Sequence, residues 1–298
     1  MTEAQTVSVV IPAYNAAWCI ARAVESVFAQ RFRDFELIVV DDGSTDGTGA
    51  VLSRYGDALH VLSKSNGGLS SARNAGIRAA RGRYVAFLDA DDWWLADKLE
   101  RQVALMRSRP ELAFCSTAAR IEGPDGEALG EWRCRGDTDA ALEAIFTVNA
   151  FVAGSGSAVL ARRDALDRTG GFDESLRSLE DIDMWMRLAA VGGYACIAAP
   201  LAVILKRPDS MSSNLDVMRN AAITVMRKNR HLLPPGKRGA FWRHAYAGML
   251  SDYAKWAWRT QRRGRALRDT LTGLCIAPLS RGRLMASLLV AMLRNRPI

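Results

Sequence analysis

Apolar residues follow two rhythms along the first part of this chain. Val7–Ile11 (VSVVI) is a nearly continuous apolar run ended by Pro12, which reads as a buried strand. From Ala17 to Gln30 the apolar positions Ile20, Val24, Val27 and Phe28 recur with the 3.6-residue period of a helix face. Phe35–Val40 (FELIVV) predicts a second strand, stopped by the turn formers DDGSTDG. A helix from about Thr48 to Tyr55, a short strand over Leu59–Leu62, a helix over Leu69–Ala80 and a strand over Tyr84–Leu88 continue the alternation. Strand and helix in this order predict a parallel sheet with right-handed crossovers. Ligands of such sheets sit at the carboxyl ends of strands. Pro12–Asn15, Asp41–Asp46 and Asp89–Asp92 all fall at such ends.

The pattern from 112 to 205 is less regular. Strands are predicted over Ala113–Glu122, Ser157–Ala161 and Ala198–Leu205, and helices over Asp139–Phe146 and Glu180–Val191. PDGE reads as a hairpin turn. After Arg207-Pro208 no glutamate occurs and the periodicity turns helical. There Trp242, Tyr246, Met249, Tyr253 and Trp256, spaced 4, 3, 4 and 3, form one helical stripe. That stripe is either packed as core or presented to a surface.

Composition narrows the class. The chain has 298 residues, 49% of them hydrophobic and 24% charged, the values of a globular protein rather than a disordered or fibrous one. No run approaches the roughly 18 uncharged apolar residues of a spanning helix. The short polar start, Met1 to Thr6, is not expected to be a secretory signal. Five widely spaced cysteines without a CxxC pair predict reduced thiols, and with three histidines they argue against a His/Cys metal site. Charge is divided. Residues 206–298 carry 19 basic and 4 acidic side chains, whereas residues 1–205 carry 21 and 28. A basic appendage implies an anionic partner. No base-reading or stacking module accompanies it, so nucleic acid is not expected, and aromatics, apolar runs and arginines together suit an anionic membrane surface.

Four clusters could carry chemistry. In DADD, Asp89, Asp91 and Asp92 crowd one strand end, which suits a hard divalent cation holding a diphosphate, or else a helix cap for Trp93–Met106. Asp41-Asp42-Gly43-Ser44-Thr45-Asp46 offers a carboxylate to a nucleobase or ribose, or a capped turn. In SNGGLSSARNAG, Gly67-Gly68 before a helix suits phosphate, and Arg73 one turn on could reach a phosphate or pair with an aspartate. It is no Walker motif, and no GxGxxG follows the first strand. Glu180-Asp181 opens a helix, as a dipole-favourable cap or as a general base.

Taken in order, VVIPAYN, VVDDGSTD, GLSSARNAG, YVAFLDADD and GGFDE…LEDIDMWMRLA resemble the inverting glycosyltransferases of family 2, over residues 7 to about 205. The resemblance implies an α/β fold: a GT-A, Rossmann-like, mostly parallel sheet flanked by helices, here with a C-terminal α-helical basic extension. It implies a catalytic domain over 1–207, divided into a nucleotide-sugar half (1–110) and an acceptor half (111–207), and an extension over 208–298. It places Pro12, Ala13, Tyr14 and Asp42 at the nucleoside, with Asn15, Asp41, Arg73, Asp89 and Ala90 around the nucleotide sugar. It makes Asp91, with Asp89, the holder of Mn²⁺ or Mg²⁺, and Asp181 the base, with Glu180 and Trp185 on the acceptor side. The implied activity is transfer of a sugar from a nucleotide diphosphate, UDP foremost, to a saccharide or lipid-linked acceptor in polysaccharide or glycolipid synthesis. The implied location is cytoplasmic, peripheral on the inner face of the membrane. The processive Q-x-x-R-W motif is missing, which implies one sugar per encounter. The rivals are a sugar-nucleotidyltransferase, for which PAYNAAWC lacks the Gly-rich basic loop, and a carbohydrate-binding protein on the same fold.

Overall fold

The computed structural model describes residues 5–135, 140–148, 151–207 and 214–294. In chain order its first half contains β1 (Val7–Ala13), α1 (Ile20–Phe28), β2 (Phe35–Asp41), α2 (Thr48–Leu52), β3 (His60–Ser63), α3 (Leu69–Ala79) and β4 (Tyr84–Phe87). Then come β5 (Trp93–Trp94), α4 (Lys98–Ser108), β6 (Leu112–Glu122), β7 (Ala128–Trp132) and α5 (Ala141–Thr147). β8 (Leu160–Arg162), α6 (Arg163–Thr169), α7 (Glu180–Val191) and β9 (Gly193–Leu205) follow, and α8 (Leu215–Lys228), α9 (Ala240–Arg259), α10 (Arg263–Ile276) and α11 (Pro278–Leu293) end the chain.

One sheet runs β3-β2-β1-β4-β8-β6-β9-β5, with β7 added to β6. β1 to β4 are mutually parallel, as the strand–helix alternation predicts. The second half departs from it. β6 and β9 are parallel, but β8 fits antiparallel between β4 and β6, and β5 and β7 are antiparallel to their neighbours. β7 follows β6 through the PDGE turn and β8 follows a tight 3₁₀ turn, so neither needs a crossover helix.

Period-2 alternation sorts the sheet residues into two cores. Val9, Ile11, Leu37 and Val39 face α1 and α4, while Val10, Ile38 and Val40 face α3 and the helices of the second half. α3 lies close on β1 because Gly76 has no side chain: a Cβ there would stand 2.2 Å from Val10 Cγ1.

Two expectations change, and two other predicted features are located. Trp93-Trp94 does not open a helix but pairs with Val203 and Ala202, and the Trp94 indole Nε1 donates to Ser157 O at 2.6 Å. The helix predicted from Asp139 is described from Ala141; Asp139 itself lies outside the described residues. Cys134 and Cys196 are joined by a disulfide across 62 residues, with Cα atoms 5.8 Å apart, where reduced thiols are predicted. Folding brings together two cysteines whose spacing carries no motif. Finally, the aromatic stripe of α9 is core. Trp242, Tyr246 and Tyr253 are buried, and the Trp242 indole stacks on Tyr246 and donates to Met226 O at 2.8 Å. Among the described residues no helix is long and apolar enough to cross a membrane.

Lys98 is fully buried against the Trp94 ring and donates to Gln102 Oε1 at 2.8 Å. Burial pulls its ammonium down from 10.5 to about 7. Between these values the unfolded chain binds the extra proton, so this lysine makes stability rise with pH. Thermal melts of Lys98→Met should therefore show its largest advantage over the wild type near pH 7, shrinking towards pH 10. A difference that does not vary with pH would place the ammonium in water.

Candidate active site

The ends of β1, β2, β4 and β9 and the start of α7 surround one cavity of about 1080 Å³. Pro12, Ala13, Tyr14 and Asn15 enter it from β1. This turn is latched to the next: Asn15 N donates to Ser44 Oγ at 2.9 Å, and Thr45 N donates to Asn15 Oδ1 at 2.8 Å. Asp41 does not line the cavity; its carboxylate accepts from Ser44 N at 3.0 Å and holds the turn. Asp42 does line it, buried, and accepts from Lys64 Nζ (2.6 Å), Gly67 N (3.0 Å) and Gly68 N (2.7 Å). The two glycine amides expected to meet phosphate are thus spent on Asp42.

The DADD turn is divided among three tasks. Asp89 Oδ1 pairs with Arg73 Nη2 at 2.6 Å, and Arg73 Nη1 reaches Glu180 Oε1 at 2.8 Å. Asp92 is buried, accepting from Ser157 Oγ at 2.5 Å and from Leu205 N at 2.9 Å. Burial raises its pKa well above the ordinary value, and Asp89 and Asp91 add to this. Asp91, half-buried, lines the cavity together with Asp89, Ala90 and Asp92.

Arg73, for which a phosphate or an aspartate partner is predicted, lines the cavity and is a fully buried strut between the strand end and α7. Burial alone would lower its pKa; Asp89 and Glu180 outweigh that and hold the guanidinium charged. Trp185, expected on the acceptor side, does not line the cavity. It is core, its ring 5.7 Å from Phe114 and parallel to it. Cys19 also lines the cavity, but burial beside Asp91 pushes its thiol up to about 12, so it is no nucleophile.

Asp181, the first-turn carboxylate of α7, faces the cavity. Its Oδ2 accepts from Ser155 Oγ at 3.2 Å and its Oδ1 from Ile182 N at 2.7 Å. Burial and the charge of Glu180 raise its pKa to about 6, against the opposing pull of Arg73. Among the described residues four non-glycine residues have positive φ, and three of them, Asn15 (49°), Ser155 (52°) and Leu179 (57°), line this cavity. Strain of that kind persists where the surrounding structure over-determines it.

The chain's residues 8–170 match the model of Glycosyl transferase family 2. The chain belongs to that family. TuaG of Bacillus subtilis, named for teichuronic acid biosynthesis, is 43% identical over 130 residues, 42% of this chain and 51% of TuaG. The Escherichia coli UDP-Glc:alpha-D-GlcNAc-diphosphoundecaprenol beta-1,3-glucosyltransferase WfaP is 38% identical over 106 residues, 35% of this chain and 42% of WfaP. The chain thus spans about half the length of these relatives. In structure it resembles S. aureus TarS 1–349 in complex with UDP-GlcNAc, with a TM-score of 0.69 over 92% of this chain and 82% of that one, at 20% identity. The fold is the GT-A fold of such family 2 structures.

Several residues that touch this family 2 site carry no signal in the linear pattern. Ser157, in the 3₁₀ turn before β8, accepts from Asp89 N at 3.0 Å while donating to Asp92. Ser155 bonds the Asp181 carboxylate. Lys206 and Arg207 come to the cavity from the end of β9, and the Arg207 guanidinium lies 4.4 Å over the Trp18 ring. The K-R pair counted only as charge, because nothing local shows that β9 ends beside DADD.

Among the described residues no three His, Cys, Asp or Glu side chains are arranged to hold a metal by themselves. The carboxylates still fit a divalent cation, since Mg²⁺ sites commonly use one or two carboxylates completed by substrate phosphate oxygens. Removing the strut tests the assembly. Arg73→Met should leave Asp89 and Glu180 facing an apolar chain and cost about 3–5 kcal/mol of stability, read by urea unfolding. A loss below about 1 kcal/mol, the worth of an exposed pair, would show the bridge to be solvated.

Proposed function

We propose that this chain is an inverting, metal-dependent glycosyltransferase that moves a sugar from a nucleotide diphosphate, UDP foremost, onto an acceptor hydroxyl. The observation that carries this reading is Asp181. It is a carboxylate at a helix start with a pKa of about 6, in the same cavity as the DADD turn. A base near neutrality is charged at working pH yet basic enough to take a proton.

In this reading the nucleoside lies along Pro12, Ala13, Tyr14 and Asn15, beside Asp42. The acceptor hydroxyl approaches Asp181 from the face of the sugar opposite the diphosphate. The new bond forms between the acceptor oxygen and the anomeric carbon as the bond from that carbon to the diphosphate oxygen breaks. The hydroxyl proton passes to an Asp181 oxygen, and the bonding pair leaves with the nucleotide. One displacement inverts the anomeric centre. Ser155 and Ile182 N hold the Asp181 carboxylate in place. Mn²⁺ or Mg²⁺, held by Asp91 with Asp89, would supply neutralisation of the departing diphosphate. We assign Lys206 and Arg207, which line the same cavity, to meet that diphosphate.

We assign residues 1–207 to the catalytic unit, with 1–110 on the donor side and 111–207 on the acceptor side, and 208–298 to an extension. The family setting and WfaP's diphosphoundecaprenol acceptor support a lipid-linked saccharide acceptor in cell-surface polysaccharide synthesis. The basic extension supports a peripheral place on the inner face of the membrane.

Asp181→Asn should keep the fold and donor binding but lower kcat about 10²–10⁴-fold. The wild-type kcat should fall as pH drops through about 6, because protonation of Asp181 removes the base. Near-normal turnover by the variant would end this assignment. EDTA should abolish turnover of UDP-sugars in a donor screen, with Mn²⁺ or Mg²⁺ restoring it; full activity in EDTA would reduce DADD to a structural turn.

A further inference from the structure

α11 is apolar on two opposite sides. Met285, Leu288 and Met292 are buried in the cluster that α11 shares with α9 and α10. On the other side Leu279, Arg283, Ala286, Val290 and Leu293 recur at spacings of 4, 3, 4 and 3 and are all exposed, Leu279 fully and Leu293 by 80%. A helix facing water on one side ordinarily presents polar residues there. α10 extends the same kind of surface with exposed Leu271 and Cys275.

This concentration is unusual for the molecule. Nine large hydrophobic residues are exposed among the described residues. Three of them, Tyr14, Trp18 and Leu129, line the cavity. Four are Leu271, Leu279, Val290 and Leu293, leaving only Val61 and Val191 elsewhere. The hairpin is also tightly seated. A Cβ on Gly273 of α10 would come within 2.4 Å of Met285 Cε, so the Met285 side chain of α11 packs directly on the α10 backbone at that point.

Charge names the occupant. Residues 263–294 contain six arginines and a single acid, Asp269, which is buried and paired with Arg219 of α8. Arg263, Arg268, Arg283 and Arg294 are exposed. A second copy seated on the same face would set arginine against arginine. α11 has 16 residues and so reaches about 24 Å, short of the roughly 30 Å hydrocarbon core, and Arg281 and Arg283 interrupt it. Apolar side chains among arginines on a helix too short to span match a helix lying in the headgroup layer.

We propose that the outer face of the α10–α11 hairpin is the surface by which this protein docks on an anionic lipid leaflet. Leu279, Val290 and Leu293 enter the acyl boundary, and the exposed arginines meet lipid phosphates. The aromatic helix α9, the more conspicuous candidate in sequence, takes no part because its stripe is core. This inference rests on the peripheral reading above and assigns it a surface.

The test is co-sedimentation of the full chain with phosphatidylcholine vesicles, with and without phosphatidylglycerol, at low and high salt. The wild type should bind only the anionic vesicles and be released by salt. The Leu279→Ser/Val290→Ser/Leu293→Ser variant, altered at exposed positions only, should keep its circular dichroism and its UDP-sugar turnover in vesicle-free buffer. Its bound fraction should fall roughly tenfold or more. Equal binding by both proteins would overturn this face while leaving the peripheral reading intact. A variant that instead turns a dimer into a monomer by light scattering, with vesicle binding unchanged, would reassign the face to self-association and overturn the proposal. Wild-type protein that ignores anionic vesicles at low salt would overturn both, with turnover in solution judging the catalytic reading separately.

Discussion

The site is held together by one buried cation. Arg73 stands in α3, yet its guanidinium joins Asp89 at the end of β4 to Glu180 at the start of α7, 107 residues on from it. Asp89 follows β4 and Glu180 opens α7, and Asp181 is the next residue after Glu180. The Asp89 and Asp181 sides of the cavity are therefore joined through a single side chain. A buried guanidinium with two fixed hydrogen-bonded acids has little freedom to move, and the buried Glu180 without it would be an uncompensated charge.

Around that strut the acidic residues have separate duties that their spacing conceals. Asp41 and Asp42 are neighbours, but one holds its own turn and the other gathers Lys64, Gly67 and Gly68 at the cavity wall. Of Asp89, Asp91 and Asp92, which all line the cavity, the first pairs with Arg73 and the last is held by Ser157 and Leu205 N. Like charges this close are tolerable because each has different partners. Asp89 to Asp92 lie in a turn beyond β4, where Asp92 N donates to Asp89 O at 3.1 Å, and the turning backbone hands neighbouring carboxylates to different groups.

The C-terminal helices are part of the same packing. Val225, Met226, Trp242 and Tyr246 share a core with the sheet and α7, and Met218 of α8 reaches the cavity wall. Only the last two helices form a cluster mainly with α9, and there the apolar surface reappears on the outside. The C-terminal helices thus have an inner part packed on the sheet and α7 and an outer part that no other described residue covers.

Local patterning along the chain specifies the parallel half of the sheet, since VSVVI, FELIVV and YVAFL are nearly continuous apolar runs between helical patterns. It also placed PAYN, DDGSTD and DADD at strand ends, and the order of these motifs identified the family. Local periodicity suffices for this because each element buries its own apolar positions. Only the tertiary structure decided which side chains touch. It spent Arg73 on two acids, put Trp185 in the core, made Trp93-Trp94 a strand beside β9, set Ser157 under Asp89 and Asp92, and brought Ser155, Lys206 and Arg207 to the cavity. It joined Cys134 to Cys196 and turned the aromatic stripe of α9 inward while leaving that of Leu279, Val290 and Leu293 outward. A stripe at helical spacing shows that a face is apolar, but what covers that face is set by elements far away in the chain, which no local pattern carries.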